Sequence, residues 1–170
     1  KLNNQGRRPE EVYFSWMRGF VICEYFSYAI AKIFSVSIKK IIQIGEDQFT
    51  SIDTFKRTPK ADIEIPLGNT SLRIEVQSGF QGINDVKEHK VREAKRHFEV
   101  TGCPSVCIHF DIFNGQVAFI RLDQIEDDSM NWITRQQMEG QSVFNIEQNY
   151  FQWRLLDKVP YYKDLSLQLS

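Results

Sequence analysis

Little in this sequence fixes its class at a glance. It carries only three cysteines, Cys23, Cys103 and Cys107, an odd number set in apolar surroundings. That excludes a dense disulfide framework and suits buried thiols in a reducing cytoplasm. The Cys103-Pro-Ser-Val-Cys107 spacing would suit two zinc ligands, but no second Cys or His pair follows at ligand spacing. Charge of one sign is also missing: the formal net charge is −1, so the global field attracts no polyanion. The balance is uneven along the chain, with ten basic and six acidic residues in 1 to 60 and five basic and nine acidic in 101 to 170. A polyanion would have to be met by a local surface.

No uninterrupted apolar run is long enough to cross a bilayer. The best candidate, FVICEYFSYAIAKIF, is short and is broken by Glu24 and Lys32, so no membrane partner is expected. There is no glycine-rich phosphate loop after a strand and no GxSxG, which argues against kinase and serine-hydrolase chemistry. Internal repeats and low-complexity tracts are absent as well. The three histidines, His89, His97 and His109, form no set with Cys or Ser that their spacing supports, and read as structural.

What is there is a chain of 170 residues, 42% of them hydrophobic, enough for one domain with a sizeable core. Residues 10 to 34 have the length of a helix and are apolar on nearly every side, which predicts a helix in the middle of the fold. SVSIKKIIQIG is strand-like, and KADIEI and SLRIEVQ are strands on either side of a Pro66-Leu67-Gly68-Asn69 turn. NDVKEHKVREAKRHFEVTG predicts a helix capped by Asn84 or Asp85 and ended by Gly102. CPSVCIHFDIFNGQVAFIRLD predicts two strands joined by Asn114-Gly115. A further helix is expected near residues 132 to 138. The expected architecture is α/β, a mixed central sheet flanked by helices, as one domain over residues 1 to 170. Its core spans about 10 to 122, with an extension over 123 to 170.

The hairpin carries acids where a strand usually presents neutral polar groups. In SLRIEVQ, Leu72, Ile74 and Val76 alternate with Arg73, Glu75 and Gln77, and in KADIEI Ala61, Ile63 and Ile65 alternate with Asp62 and Glu64. Asp62 and Glu75 are thirteen positions apart on strands that pair antiparallel, so both carboxylates can reach one face. Two carboxylates that close repel unless a cation or a proton intervenes. Hard oxygen ligands of this kind select Mg²⁺ or Mn²⁺.

The pattern Pro59-x-x-Asp62, twelve residues, then Glu75-x-Gln77 resembles the PD-(D/E)XK nuclease motif, and the element order over residues 10 to 122 is similar to the core of that superfamily. The resemblance implies a restriction endonuclease-like core and a Mg²⁺-dependent hydrolysis of DNA phosphodiester bonds. Type II restriction endonucleases are the first reading. The alternatives are a DNA repair or junction-resolving nuclease of the same fold, or a non-catalytic descendant that binds nucleic acid or protein. It implies Asp62 and Glu75 as metal ligands and puts Gln77 where the family usually has lysine, a departure that removes a positive charge from the site.

A replacement cation is expected from the next helix. Counted at 100° per residue from Val86, Lys87 falls in the sector of Val91, Ala94 and Phe98, with Lys90 at its border. Glu24, the one acid inside FVICEYFSYAI, fits a helical carboxylate that family members often add to the metal, with a pair to Arg18 or Lys32 as the alternative. Contacts to double-stranded DNA are expected from Arg7, Arg8, Lys56, Arg57, Lys60, Ser78, Gln81 and Lys90. Cutting both strands implies a homodimer.

Overall fold

The computed structural model describes residues 9–45, 60–79, 85–111, 114–127, 130–135, 141–145 and 151–154. Helix α1 (Pro9–Ile33) is followed by a 3-10 turn and the short strand β1 (Ile42–Gln43). Strands β2 (Ile63–Leu67) and β3 (Thr70–Gly79) form the acidic hairpin, and β4 (Asp85–Lys87) leads into α2 (Glu88–Thr101). Then come β5 (Ser105–Asp111), β6 (Gln116–Arg121), β7 (Met130–Arg135), β8 (Gln141–Asn145) and β9 (Phe151–Arg154).

The main sheet is mixed, in the order β1-β2-β3-β5-β6-β9, and a smaller sheet runs β4-β8-β7. Only β3 and β5 pair in parallel in the main sheet, with α2 lying on the crossover between them; the other pairs are antiparallel. Alternation decides the two layers. Ile63, Ile65, Leu72, Ile74, Val106, Ile108 and Phe110 turn to one side and pack on Cys23, Phe26, Ile30 and Ile33 of α1. Phe26 stacks on Phe110 with ring centroids 3.7 Å apart. On the other side Val91 and Ala94 of α2 meet Cys107, Ala118 and Leu122. The mixed sheet with a helix on each face is the α/β architecture the sequence predicts.

The turns follow local chemistry. Gly68 and Gly115 take positive φ at the hairpin tips, and Gly102, at φ 69°, ends α2 with its N–H on the Phe98 carbonyl. Three expectations are corrected. The second helix starts at Glu88, capped by Lys87 without a side-chain bond. Asp85 instead enters the extended β4, where its carboxylate accepts a 2.7 Å bond from Asn145 Nδ2; Asn84 lies outside the described residues. Residues 130–135 form a strand rather than a helix because they pair antiparallel with β8, the next strand in the chain; 136–138 lie outside the described residues. Finally, α1 is not enclosed: Phe14, Val21, Tyr25 and Tyr28 are exposed. Among the described residues no helix is long and apolar enough to cross a membrane.

Candidate active site

The β2–β3 register pairs Ile63 with Ile74 and Glu64 with Arg73. Asp62 directly precedes β2, and its N–H donates to the Ile74 carbonyl at 3.1 Å, which seats it across from the Ile74–Val76 stretch of β3. The Asp62 charge acts on Glu75, and Lys90 of α2 acts on both carboxyls, so the two groups converge beside α2. Asp62 is held from two sides. Its Oδ2 accepts the Val76 N–H at 2.8 Å, and its carbonyl accepts the Ile44 N–H at 2.9 Å. Gly45 lies close against it, since a Cβ there would come 3.1 Å from Asp62 Cα and 3.4 Å from Oδ1.

Glu75 is met by Lys90, whose Nζ lies 2.8 Å from Glu75 Oε2 and also donates to the Lys60 carbonyl at 2.9 Å. The two side chains keep only 14% and 16% of their exposure, so the pair sits largely outside solvent screening. Burial raises the proton affinity of both carboxyls. Asp62 is pushed up chiefly by desolvation, against the pull of Lys90, the Val76 N–H and Lys87. Glu75 is pushed up to about 7 by burial and then by Asp62, with Lys90 and Lys87 opposing. Two buried acids, one of them raised further by the charge of the other, form a place where a shared cation would relieve the charge balance.

The other residues singled out in the sequence fall as follows. Gln77 faces the same layer, but its Nε2 donates to the Asp85 carbonyl and its Oε1 accepts a 3.7 Å contact from the Cys107 thiol. The amide therefore ties β4 to β3. Lys87 closes β4 and its charge acts on both carboxyls. Since Val86 and Lys87 are extended, the helix begins at Glu88 and puts Lys90 on the flank next to Glu75. Glu24 accepts a 2.9 Å bond from Gln43 Nε2. Among the described residues no three His, Cys, Asp or Glu side chains gather as a metal cluster. Glu64 belongs to a separate network in which Arg73 reaches it at 3.4 Å and Glu93 of α2 at 3.0 Å.

Lys60 is exposed and Ser78 half-buried at the end of β3, while Arg7, Arg8, Lys56, Arg57 and Gln81 lie outside the described residues. Sequence reasoning missed Asp85, fully buried, and the neighbouring buried His109 and Asp111 on the same layer. Asp85 and Asp111 both act electrostatically on the His109 imidazole, whose pKa burial lowers. Alternation along β5 places His109 and Asp111 on the Cys107 side, a signal present in the sequence.

The donor set fits a hard divalent ion. Two carboxylates leave coordination positions for water and phosphate, the habit of Mg²⁺ in phosphoryl-transfer sites.

No family model matches the sequence, and no curated protein matches it. Among solved structures, the chain is similar to Hjc, a Holliday junction resolvase from the archaeal hyperthermophile Archaeoglobus fulgidus. The two are 13% identical, with a TM-score of 0.48 over 79% of this chain and 87% of that one. The chemistry is read from this chain's own side chains.

Proposed function

We propose that the chain is a divalent-metal-dependent DNA endonuclease that hydrolyses phosphodiester bonds, with a type II restriction activity as the finer reading. The observation that carries it is the placing of Asp62, bonded to the Val76 N–H, beside Glu75, with Lys90 against Glu75. Asp62 and Glu75 would hold Mg²⁺ or Mn²⁺, which when bound supplies Lewis acidity and a water of lowered pKa. Asp62 is oriented for this by the Val76 N–H. Lys90 holds the Glu75 carboxylate in place and offers the positive charge that Gln77 lacks, available to the extra negative charge of a phosphoryl transition state. Gln77 acts at one remove, anchoring β4 and with it the start of the helix that presents Lys90. Lys60 and Ser78 border the site as phosphate contacts. A homodimer is the proposed acting unit, since cutting a duplex takes two such sites.

The test is incubation of the full chain with Mg²⁺ or Mn²⁺ and three substrates: plasmid DNA, a four-way junction and a linear duplex without branches. Discrete duplex fragments, lost in Asp62→Ala and Glu75→Ala, support the restriction reading. Symmetric nicks confined to the junction move the assignment to a junction-resolving nuclease. Metal-independent binding without cutting on any substrate overturns the enzyme.

A further inference from the structure

Helix α1 is two-sided in an unusual way. One side, with Cys23, Phe26, Ile30 and Ile33, packs on the sheet. The opposite side keeps Phe14, Val21, Tyr25 and Tyr28 at 63%, 57%, 76% and 71% exposure. Phe14, Val21 and Tyr28 are spaced seven residues apart, with Tyr25 four after Val21. At 3.6 residues per turn these four fall within a sector of roughly 60°, the narrow apolar seam of a helix that faces another helix. Both ends of the seam carry charge on the same line: Glu10 at the start and Lys32 at the finish, both exposed.

We infer that this face docks a second copy of the same helix, antiparallel, about a two-fold axis at Val21. Positions equidistant from Val21 then meet. Phe14 packs on the copy's Tyr28, Val21 on the copy's Val21, and Glu10 reaches the copy's Lys32, once at each end of a seam about 33 Å long. Arg18, exposed on one flank, lies over the copy's Tyr25, a cation–π arrangement. A parallel pair would set Glu10 against Glu10 and Lys32 against Lys32. The charges of this face, Glu10 and Glu24 against Arg18 and Lys32, cancel, so it lacks the basic excess that nucleic acid or an anionic bilayer would require. The α1 residue that feels the Asp62 and Glu75 charges is Cys23, on the side that packs on the sheet, so pairing through the outward seam leaves the carboxylates open. The interface stands independently of the chemistry, because it is read out with neither metal nor DNA present.

The experiment is sedimentation equilibrium of the full chain up to about 100 µM. A dimer is expected, and Val21→Glu, which places two carboxylates on the axis, raises its dissociation constant at least about ten-fold with an unchanged circular dichroism spectrum. Lys32→Glu weakens it by about five-fold, and adding Glu10→Lys to the same chain restores it. In a Cys103→Ser background, Val21→Cys cross-links to itself under mild oxidation while Phe14→Cys does not. A monomer at every concentration, a double charge reversal that fails to restore pairing, or self-cross-linking through Phe14→Cys overturns the inference.

Discussion

Lys90 Nζ lies 2.8 Å from Glu75 Oε2 and 2.9 Å from the Lys60 carbonyl, so one helical lysine ties β3 to the segment that leads into β2. It lies three residues past the point where β4 turns into α2. Position in the chain therefore says nothing of its role; the partner does.

Removing that lysine strands a carboxylate. Lys90→Ala is expected to destabilise the metal-free protein by about 3 kcal/mol, since breaking a buried pair from one side costs roughly 3–5 kcal/mol and Glu75 can take a proton in part compensation. Urea denaturation measures it. Glu75→Gln in the Lys90→Ala background should recover part of the loss, giving a coupling of the sign expected for a shared pair. DNA cleavage falls at least about 100-fold in Lys90→Ala if the lysine also faces the phosphate. Strictly additive effects of the two substitutions would sink the pairing.

The pH dependence of stability has a definite sign. Glu75 binds its proton more tightly folded than unfolded, with its pKa near 7 rather than the ordinary 4.5. Its contribution is complete below the unfolded value and is lost as pH rises through the folded one, the reverse of a salt-bridged acid with a depressed pKa. Metal-free protein should therefore be less stable at about pH 8 than at about pH 5.5, by about 2 kcal/mol as an upper value, and unfold at a lower temperature. Mn²⁺ or Mg²⁺ should raise the melting temperature more at the higher pH. A melting temperature that is level across this window contradicts the raised Glu75.

Gly45 is predicted to matter through space rather than flexibility. Its missing Cβ leaves room for Asp62, which a methyl group would meet 3.1 Å from Cα. Gly45→Ala should shift Asp62 by a few tenths of an ångström at a stability cost of about 1 kcal/mol, and weaken metal binding by more than that cost implies. Calorimetric titration with Mn²⁺ of parent and variant separates the two effects; equal affinities would show that Asp62 tolerates the displacement.

How much of this was open to reading in the sequence depended on the range of each interaction. Alternation in SLRIEVQ assigned Leu72 and Ile74 to the core and Glu75 and Gln77 to the other layer, because period two is enforced locally by the strand. That Asp62 comes beside Glu75 followed from a hairpin whose turn at Gly68 fixes the register of β2 on β3. Where partners are distant, local signals misled. Asp85 looked like a helix cap, yet Asn145, sixty residues on, draws it into a second sheet. With the helix starting at Glu88, Lys90 bonds Glu75 directly, while Lys87 adds its charge to both carboxyls from the end of β4. Similarly, an apolar helix implied burial on all sides, because sequence cannot tell a core from an unfilled seam.

The sharpest prediction sets stability against function at one atom. In Asp62→Asn the amide oxygen can still accept the Val76 N–H that now binds Oδ2 at 2.8 Å, so the strand end keeps its bond while the buried charge goes. Asp62 is the main charge raising the Glu75 pKa after burial itself. Without it Glu75 ionises more easily and its pairing with Lys90 strengthens. The variant should therefore be more stable than the parent in metal-free buffer near pH 8, by about 1–2 kcal/mol, while losing the stabilisation by Mn²⁺ and all DNA cleavage. Such opposite movement is what a residue kept for ligation rather than folding must show, since its charge is a liability until a cation is shared. Chemical denaturation with and without Mn²⁺ reads both halves. A variant that is less stable than the parent without metal would mean that the Asp62 charge serves the fold, and the metal site would have to be sought elsewhere.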